Sequence, residues 1–531
     1  MKAEIVYPMW RIDSVSQLRT PHNSPAEDSC GSKNMRQEAK VWDLALRQPS
    51  NRMNRREFIK SASLGAVAFM FPKSVSKAGR RGSESPDTDL PYRPNLLFIL
   101  ADDFGWSQLG CYGSDYYESP NIDRLAREGM RFTDAYAACP VCSPTRASIM
   151  TGKYPARLHL TDFIAGGSYP YERLRQPEWQ KYLPLGEITI AEVLKPAGYT
   201  TASFGKWHLS IAKKPPQGEP YNPDKQGFDE FMVTYKPTSS HDPEKDAHNV
   251  EAITQRSLEF LQNNRDRPFF LYVTHNTIHT PVMGKSKLIE KYKNKPGSDL
   301  PQNNPVIAAM IEELDSSVGR LLRKLYELKI ADKTIVVVFS DNGGLERSAK
   351  QTPLRSGKAN LYEGGIRVPL IVRWPGMVTP GSTCSHPVTS VDFFPTFLDI
   401  LGLENRAEKS VDGVSLVPLL AQTGSPDRKA IYWHYPHYHS SSIGPCGAIR
   451  MGDYKLIEWF DESICGPGNR FELYHLTNDI AEQNNLAKEM PDKTRQLKNM
   501  LTKWRKRVNA QMLTPNPNYD PEKAKKSKKR E

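Results

Sequence analysis

The sequence predicts an α/β protein: a mostly parallel sheet sandwiched by helices, followed by a smaller α+β C-terminal domain. Three observations lead there. Unbroken apolar runs of strand length occur at Leu96–Leu100, Phe269–Val273, Thr334–Phe339 and Leu370–Val372. Such runs suit parallel strands buried on both faces. Helical patterns fall between them, at Asn121–Glu128, Ile188–Leu194, Val250–Asn263 and Val306–Leu328. Alternation of that kind builds a parallel sheet covered by helices. After a polar, Gly-containing break near Gly402–Lys429 the pattern changes. Short strand-like pieces follow at Ala430–His434, Ala448–Arg450, Tyr454–Glu458 and Glu472–His475, then a helix at Met490–Val508.

The 531 residues, 38% hydrophobic and 10% aromatic, are enough for one large domain and a smaller one. The expected division is an irregular extension over 1–52, an export segment over 53–83, the large domain over 92–427, the small domain over 428–515 and a basic, disordered tail over 516–531. The extension reads as a misassigned start, with Met53 as the true one. From there the chain runs MNRREFIKSASLGAVAFMF. Arg55-Arg56 precede Phe58, Lys60 and a short apolar stretch over Ser61–Phe71, too short to span a bilayer. The RREFIK run resembles a twin-arginine signal, which implies twin-arginine export machinery as a partner and a periplasmic or extracellular location.

The net charge of +12 lies at the ends. Residues 1–83 hold fifteen basic and seven acidic residues, and residues 521–531 hold six and two. The body is neutral, so it offers no basic field for nucleic acid. The seven cysteines have no zinc-type spacing. Cys446 and Cys465 are candidates for a disulfide in an exported protein.

Two strand-like runs end in oxygen-bearing side chains: Leu96–Leu100 leads to Asp102-Asp103, and Thr334–Phe339 to Ser340-Asp341-Asn342. Ligand sites in open α/β sheets lie at the carboxyl ends of strands. Four of these side chains, Asp102, Asp103, Asp341 and Asn342, with no soft ligand favour Ca²⁺, or else Mg²⁺, over zinc.

The stretch VCSPTRASIMTG, Val141 to Gly152, is the most specific feature. Cys142-Ser143-Pro144-Thr145-Arg146 with Thr151-Gly152 resembles the signature of the type I sulfatases. The family's other pieces follow its order: Ala101-Asp102-Asp103, Gly205-Lys206-Trp207-His208-Leu209, His279-Thr280-Pro281, Ser340–Gly344, and Gly357-Lys358 before Tyr362–Gly365. The resemblance covers roughly residues 93–490 and is nearest to arylsulfatase A and N-acetylgalactosamine-sulfatase relatives. Departures are small: Leu209-Ser210 stands where many members have Leu-Gly, and Thr277-Ile278 where Ala-Pro is common.

The resemblance implies an alkaline-phosphatase-like fold and a cysteine oxidised to formylglycine. The implied maturation partner is a formylglycine-generating or anaerobic sulfatase-maturating enzyme. It also implies Ca²⁺ held by Asp102, Asp103, residue 142, Asp341 and Asn342. One hydroxyl of the hydrated aldehyde attacks sulfur and the alcohol leaves, protonated by His279 with Lys358 beside it. His208 then takes the proton from the second hydroxyl of the sulfated enzyme, and sulfate is expelled. Arg146 and Lys206 hold the diol. His275, four residues before His279, competes for the acid role; the Thr-Pro after His279 favours the latter. The aromatic, histidine-rich run Trp433–His439 suggests a sugar substrate, with His434 and His437 as candidate contacts. A galactose or N-acetylgalactosamine sulfate is the leading expectation. The alternatives are a phosphate or phosphonate ester hydrolase of the same superfamily and a carbohydrate-binding pseudoenzyme. Loss of Cys142, Asp102 or His208 would favour the latter, and all three are present.

Overall fold

A computed structural model describes residues 93–211, 219–406, 410–466 and 470–528. The expected extension over 1–52 and the export segment over 53–83 lie outside the described residues. No described helix is long and apolar enough to cross a membrane.

Eight strands form the main sheet: β1 Asn95–Ala101, β2 Met130–Phe132, β3 Thr200–Gly205, β4 Glu230–Val233, β5 Phe269–Thr274, β6 Thr334–Ser340, β7 Leu370–Arg373 and β8 Ser382–Cys384. Their order is β8-β2-β7-β6-β1-β5-β3-β4. All pairs are parallel except those of β7, which runs antiparallel to both β2 and β6. Every residue of β1, β5 and β6 is buried. Helices on both faces exclude water from these central strands, which explains their lack of polar alternation. The four strands absent from the sequence reading, β2, β3, β4 and β8, are short or rich in Thr, Ser and Gly, or lie at the sheet edge.

The covering helices include α1 Pro120–Glu128, α2 Cys142–Thr151, α3 Val250–Asn263, α4 Pro305–Glu327 and α5 Phe393–Ile400. The α4 helix starts where Asn304 accepts hydrogen bonds from the backbone N–H groups of Val306 and Ile307, satisfying donors left open in a first turn. The α2 helix is buried throughout. It stops at Gly152, whose φ of 67° is the left-handed conformation that closes a helix with least strain in glycine. That accounts for the Thr-Gly of the opening motif.

A second, antiparallel sheet has the order β9 Ile431–Tyr435, β10 Cys446–Met451, β11 Tyr454–Trp459 and β12 Arg470–His475. The helix α6, Pro491–Arg507, packs on it. Alternation along the strands divides its residues. Trp433, Tyr435, Ala448 and Ile457 pack with Tyr136, Val141 and Tyr362 of the main domain. Ile449, Leu456 and Leu473 pack with Leu497, Leu501 and Trp504 of α6.

Two expectations are corrected. The tail is not disordered throughout. Pro521–Lys528 form a helix whose first turn donates to Asp520, and just before the tail Thr514–Pro515 pair with Leu174–Arg175. Asp before Pro is a favoured helix start. Cys446 and Cys465 are free thiols, the former buried in β10 and the latter ending a short helix.

Candidate active site

Strand register assembles the site. Ala101 of β1 pairs with Ser340 of β6, so Asp102-Asp103 and Asp341-Asn342 emerge side by side. Thr274 of β5 pairs with Leu100 on one side and Gly205 of β3 on the other, which brings His275–His279 and Lys206–His208 to the same edge. Gly205 is required there: its φ is 119°, and a Cβ would lie 1.8 Å from the Thr274 carbonyl oxygen. Cys142 is the first residue of α2, and Arg146 lies one turn further along the same face.

A cleft of about 480 Å³ opens over Cys142, walled by Asp103, Lys206, His208, His279 and Lys358. Asp102, Arg146, Asp341 and Asn342 are fully buried behind it. Arg146 forks onto Asp341 Oδ2 through Nε at 2.9 Å and Nη2 at 2.7 Å, while its Nη1 donates to the Lys206 carbonyl. Lys206 Nζ lies 2.6 Å from Asp102 Oδ2, and Lys358 Nζ lies 2.7 Å and 2.9 Å from the two oxygens of Asp103. Burial alone would push both aspartates up. The nearby cations, led by Lys206 for Asp102 and by Lys358 for Asp103, hold their carboxyls below the usual range. Burial works against the charge of Lys358, but Asp103 outweighs it and keeps the ammonium protonated.

The Cys142 thiol sulfur lies 3.2 Å from His208 Nδ1. His208 Nε2 faces the Ile164 carbonyl, so Nε2 carries the hydrogen and Nδ1 presents its lone pair to residue 142. Burial, then Lys206 and Arg146, push this imidazole well below the usual histidine range. His279 Nδ1 donates to the Thr280 carbonyl at 2.7 Å, and Nε2 faces Asp103 Oδ2 at 3.9 Å. Its pKa is pushed down to about 3, by burial and then by Lys358. His275 is fully buried on Ser317 at 3.2 Å and does not line the cleft.

The donors fit a hard cation. Asp102 Oδ1 and Asn342 Oδ1 are buried oxygens with no hydrogen-bond partner. Ligand atoms of Asp102, Cys142 and Asp341 lie within 4.8 Å of one another. Orphaned buried oxygens are costly unless something completes them, and carboxylate and amide oxygens are the donors that Ca²⁺ and Mg²⁺ take.

His434 and His437, expected to contact substrate, do not line the cleft. His434 alternates with Trp433 and Tyr435, so its ring turns to the other face of the sheet, where Nε2 meets the Gln511 carbonyl at 2.7 Å. His437 is fully buried between Thr161 and Gln176. From the same run, His439 does reach the cleft. The sequence reading also missed Phe163, Ile164, Tyr235, Lys236 and Arg347, which line it. Ile164 bonds two neighbours of Cys142: its N–H donates to Ser143 Oγ at 3.1 Å and its carbonyl accepts from His208. These are loop residues with no motif of their own.

Fold and site together define a hydrolase of anionic esters with alkaline-phosphatase-like architecture. Residues 94–403 match the sulfatase family model, and residues 357–509 match the N-sulphoglucosamine sulphohydrolase C-terminal model. A sulfatase from Formosa agariphila is 31% identical over 81% of this chain and 91% of its own length. Human N-acetylgalactosamine-6-sulfatase is 32% identical over 67% of this chain and 71% of its own length. The solved structure of Ps i-CgsB in complex with k-i-k-neocarrahexaose superposes with a TM-score of 0.65 at 27% identity, covering 82% of this chain and 97% of that one. The chain belongs to the sulfatase family and is a sulfuric ester hydrolase.

Proposed function

We propose that the protein removes sulfate from a sulfated carbohydrate, a galactose or N-acetylgalactosamine sulfate, with residue 142 acting as formylglycine. The observation that carries this is the placement of Cys142 at the start of α2, open to the cleft and 3.2 Å from a histidine lone pair. The sugar assignment is supported by the N-acetylgalactosamine-6-sulfatase relative and by the neocarrahexaose complex of the structural neighbour. The cleft is large enough for one sulfated ring.

Asp102, Asp103, Asp341, Asn342 and residue 142 would hold Ca²⁺ or Mg²⁺. When present, the cation supplies positive charge to a developing anion, and the hydrated aldehyde supplies a nucleophilic hydroxyl. The chain's own residues set the rest. Arg146 braces Asp341 and the Lys206 carbonyl, fixing both sides of residue 142. Lys206 and Lys358 direct their charge at the sulfate oxygens. His208 takes a proton from residue 142 through Nδ1. Burial, then Lys358, favours the neutral form of His279; an anionic ester beside it favours its gaining a proton, which it gives to the departing alcohol. The overall reaction consumes one water and yields the alcohol and sulfate. Maturation by a formylglycine-generating or anaerobic sulfatase-maturating enzyme, and export through the Arg55-Arg56 segment, belong to the same reading. The test is sulfate release from a panel of 4- and 6-sulfated galactose and N-acetylgalactosamine. Turnover of a sugar in this panel supports the assignment, and release confined to aryl sulfates refutes it.

A further inference from the structure

The charges at the reaction centre balance among themselves: Arg146, Lys206 and Lys358 face Asp341, Asp102 and Asp103. Two more cations line the same cleft outside that balance, Lys236 and Arg347. Lys236 follows β4 and Arg347 follows β6, with β1, β5 and β3 between those strands. The two cations therefore enter from loops on different sides of the centre. Neither has a carboxylate within ion-pair distance among the described residues. Glu346, beside Arg347, is taken by Lys350 at 2.7 Å.

The surroundings do not favour Lys236 as a bare cation. Burial, then the like charges of Lys206 and Lys358, hold its ammonium below the usual lysine range. Arg347 has a different neighbourhood. It lines the cleft and also an adjoining groove of about 440 Å³, and the two share Leu345, Lys358, Ser440 and Ser441 with it. Arg347 thus stands at the junction between a space for one ring and a space for the next.

A sulfate monoester brings one negative charge. The reaction centre, with a divalent cation bound, already answers it. Lys236 and Arg347 are exposed, so water serves them, but a substrate of that charge alone leaves two cations on the cleft walls with no anionic partner to attract. The geometry points to a substrate with a second anionic group, a sulfate ester or a uronate carboxylate, on the sugar next to the one desulfated, bound by Arg347. A planar guanidinium suits either group because both present paired oxygens. Lys236 adds attraction from the opposite wall. This rests on the sulfatase reading of the site and narrows its substrate to a polyanionic glycan.

The experiment compares three disaccharides carrying the same reacting sulfate, with a neutral, a sulfated or a uronate neighbour. The preference is the kcat/KM on a charged neighbour divided by that on the neutral one. The wild type prefers at least one charged neighbour, and Arg347→Ala lowers that preference roughly tenfold, the size of one charge-assisted contact. Arg347→Lys keeps part of it, and Lys236→Ala lowers it less. The sulfated and uronate arms show which group is read. Equal rates on all three disaccharides, or an unchanged preference in Arg347→Ala, overturn the proposal. Calorimetric binding of the same disaccharides to Cys142→Ala reads the preference without turnover. A protein that binds the charged disaccharide through Arg347 but hydrolyses no ester contradicts the sulfatase reading and leaves the anion site standing.

Discussion

His208 points one nitrogen at Cys142 Sγ, 3.2 Å away, and the other at the Ile164 carbonyl. The carbonyl holds the ring's hydrogen, so the lone pair is fixed on the side of residue 142. His208→Ala should lower kcat by about 10²- to 10⁴-fold, the usual worth of a positioned base. Rapid mixing should show a burst of alcohol release followed by slow turnover. A variant within a few-fold of the wild type would contradict the base assignment.

His279 is assigned to the leaving oxygen, and its test is the leaving group. Nitrophenolate departs without a proton, whereas a sugar alkoxide does not. His279→Ala should cost about 10²-fold on a sulfated sugar and much less on nitrophenyl sulfate. Equal losses on both would remove His279 from that role. His275→Ala, at a buried position bonded to Ser317, should lower the thermal midpoint without creating such a difference.

Asp341 both braces Arg146 and has a carboxylate oxygen within 4.8 Å of ligand atoms of Asp102 and Cys142. Asp341→Ala should release bound divalent cation, measured as metal per protein by elemental analysis. A full complement of metal in the variant would refute the ligand assignment. Arg146→Lys loses the fork and should lower kcat/KM by more than about tenfold.

Lys455 Nζ lies between Glu363 at 2.8 Å and Glu482 at 2.9 Å, all fully buried. Burial raises the Glu482 carboxyl to about 7; Lys455 opposes this and Glu363 adds to it. The folded protein thus keeps a proton that the unfolded chain loses near 4.5. Stability from this group is complete below that value and is lost as pH rises through about 7. Glu482→Gln has no such titration. Its deficit in thermal midpoint should shrink between about pH 5 and about pH 8; a deficit independent of pH would contradict the assignment.

The central strands were legible because burial on both faces leaves an apolar run, as in Thr334–Phe339. The edge strand Glu230–Val233 was not, because its half-buried residues carry no period. At the site, Asp102, Asp103, Lys206, Asp341 and Asn342 could be read because they follow strand ends directly, and Cys142 and Arg146 because they open α2. The cleft walls could not. Phe163, Tyr235 and Arg347 are brought together by loops from distant parts of the chain, and no local pattern records that meeting. His434 and His437 misled because aromatic composition does not say which face of a strand a ring takes.

The central claim is that Cys142 becomes an aldehyde. Trypsin releases the peptide from Phe132 to Arg146, which contains it. In protein that hydrolyses sulfate esters, the mass of this peptide should be lower by the thiol-to-aldehyde difference, and the peptide should react with a hydrazine. An unmodified thiol throughout such active protein would contradict the account.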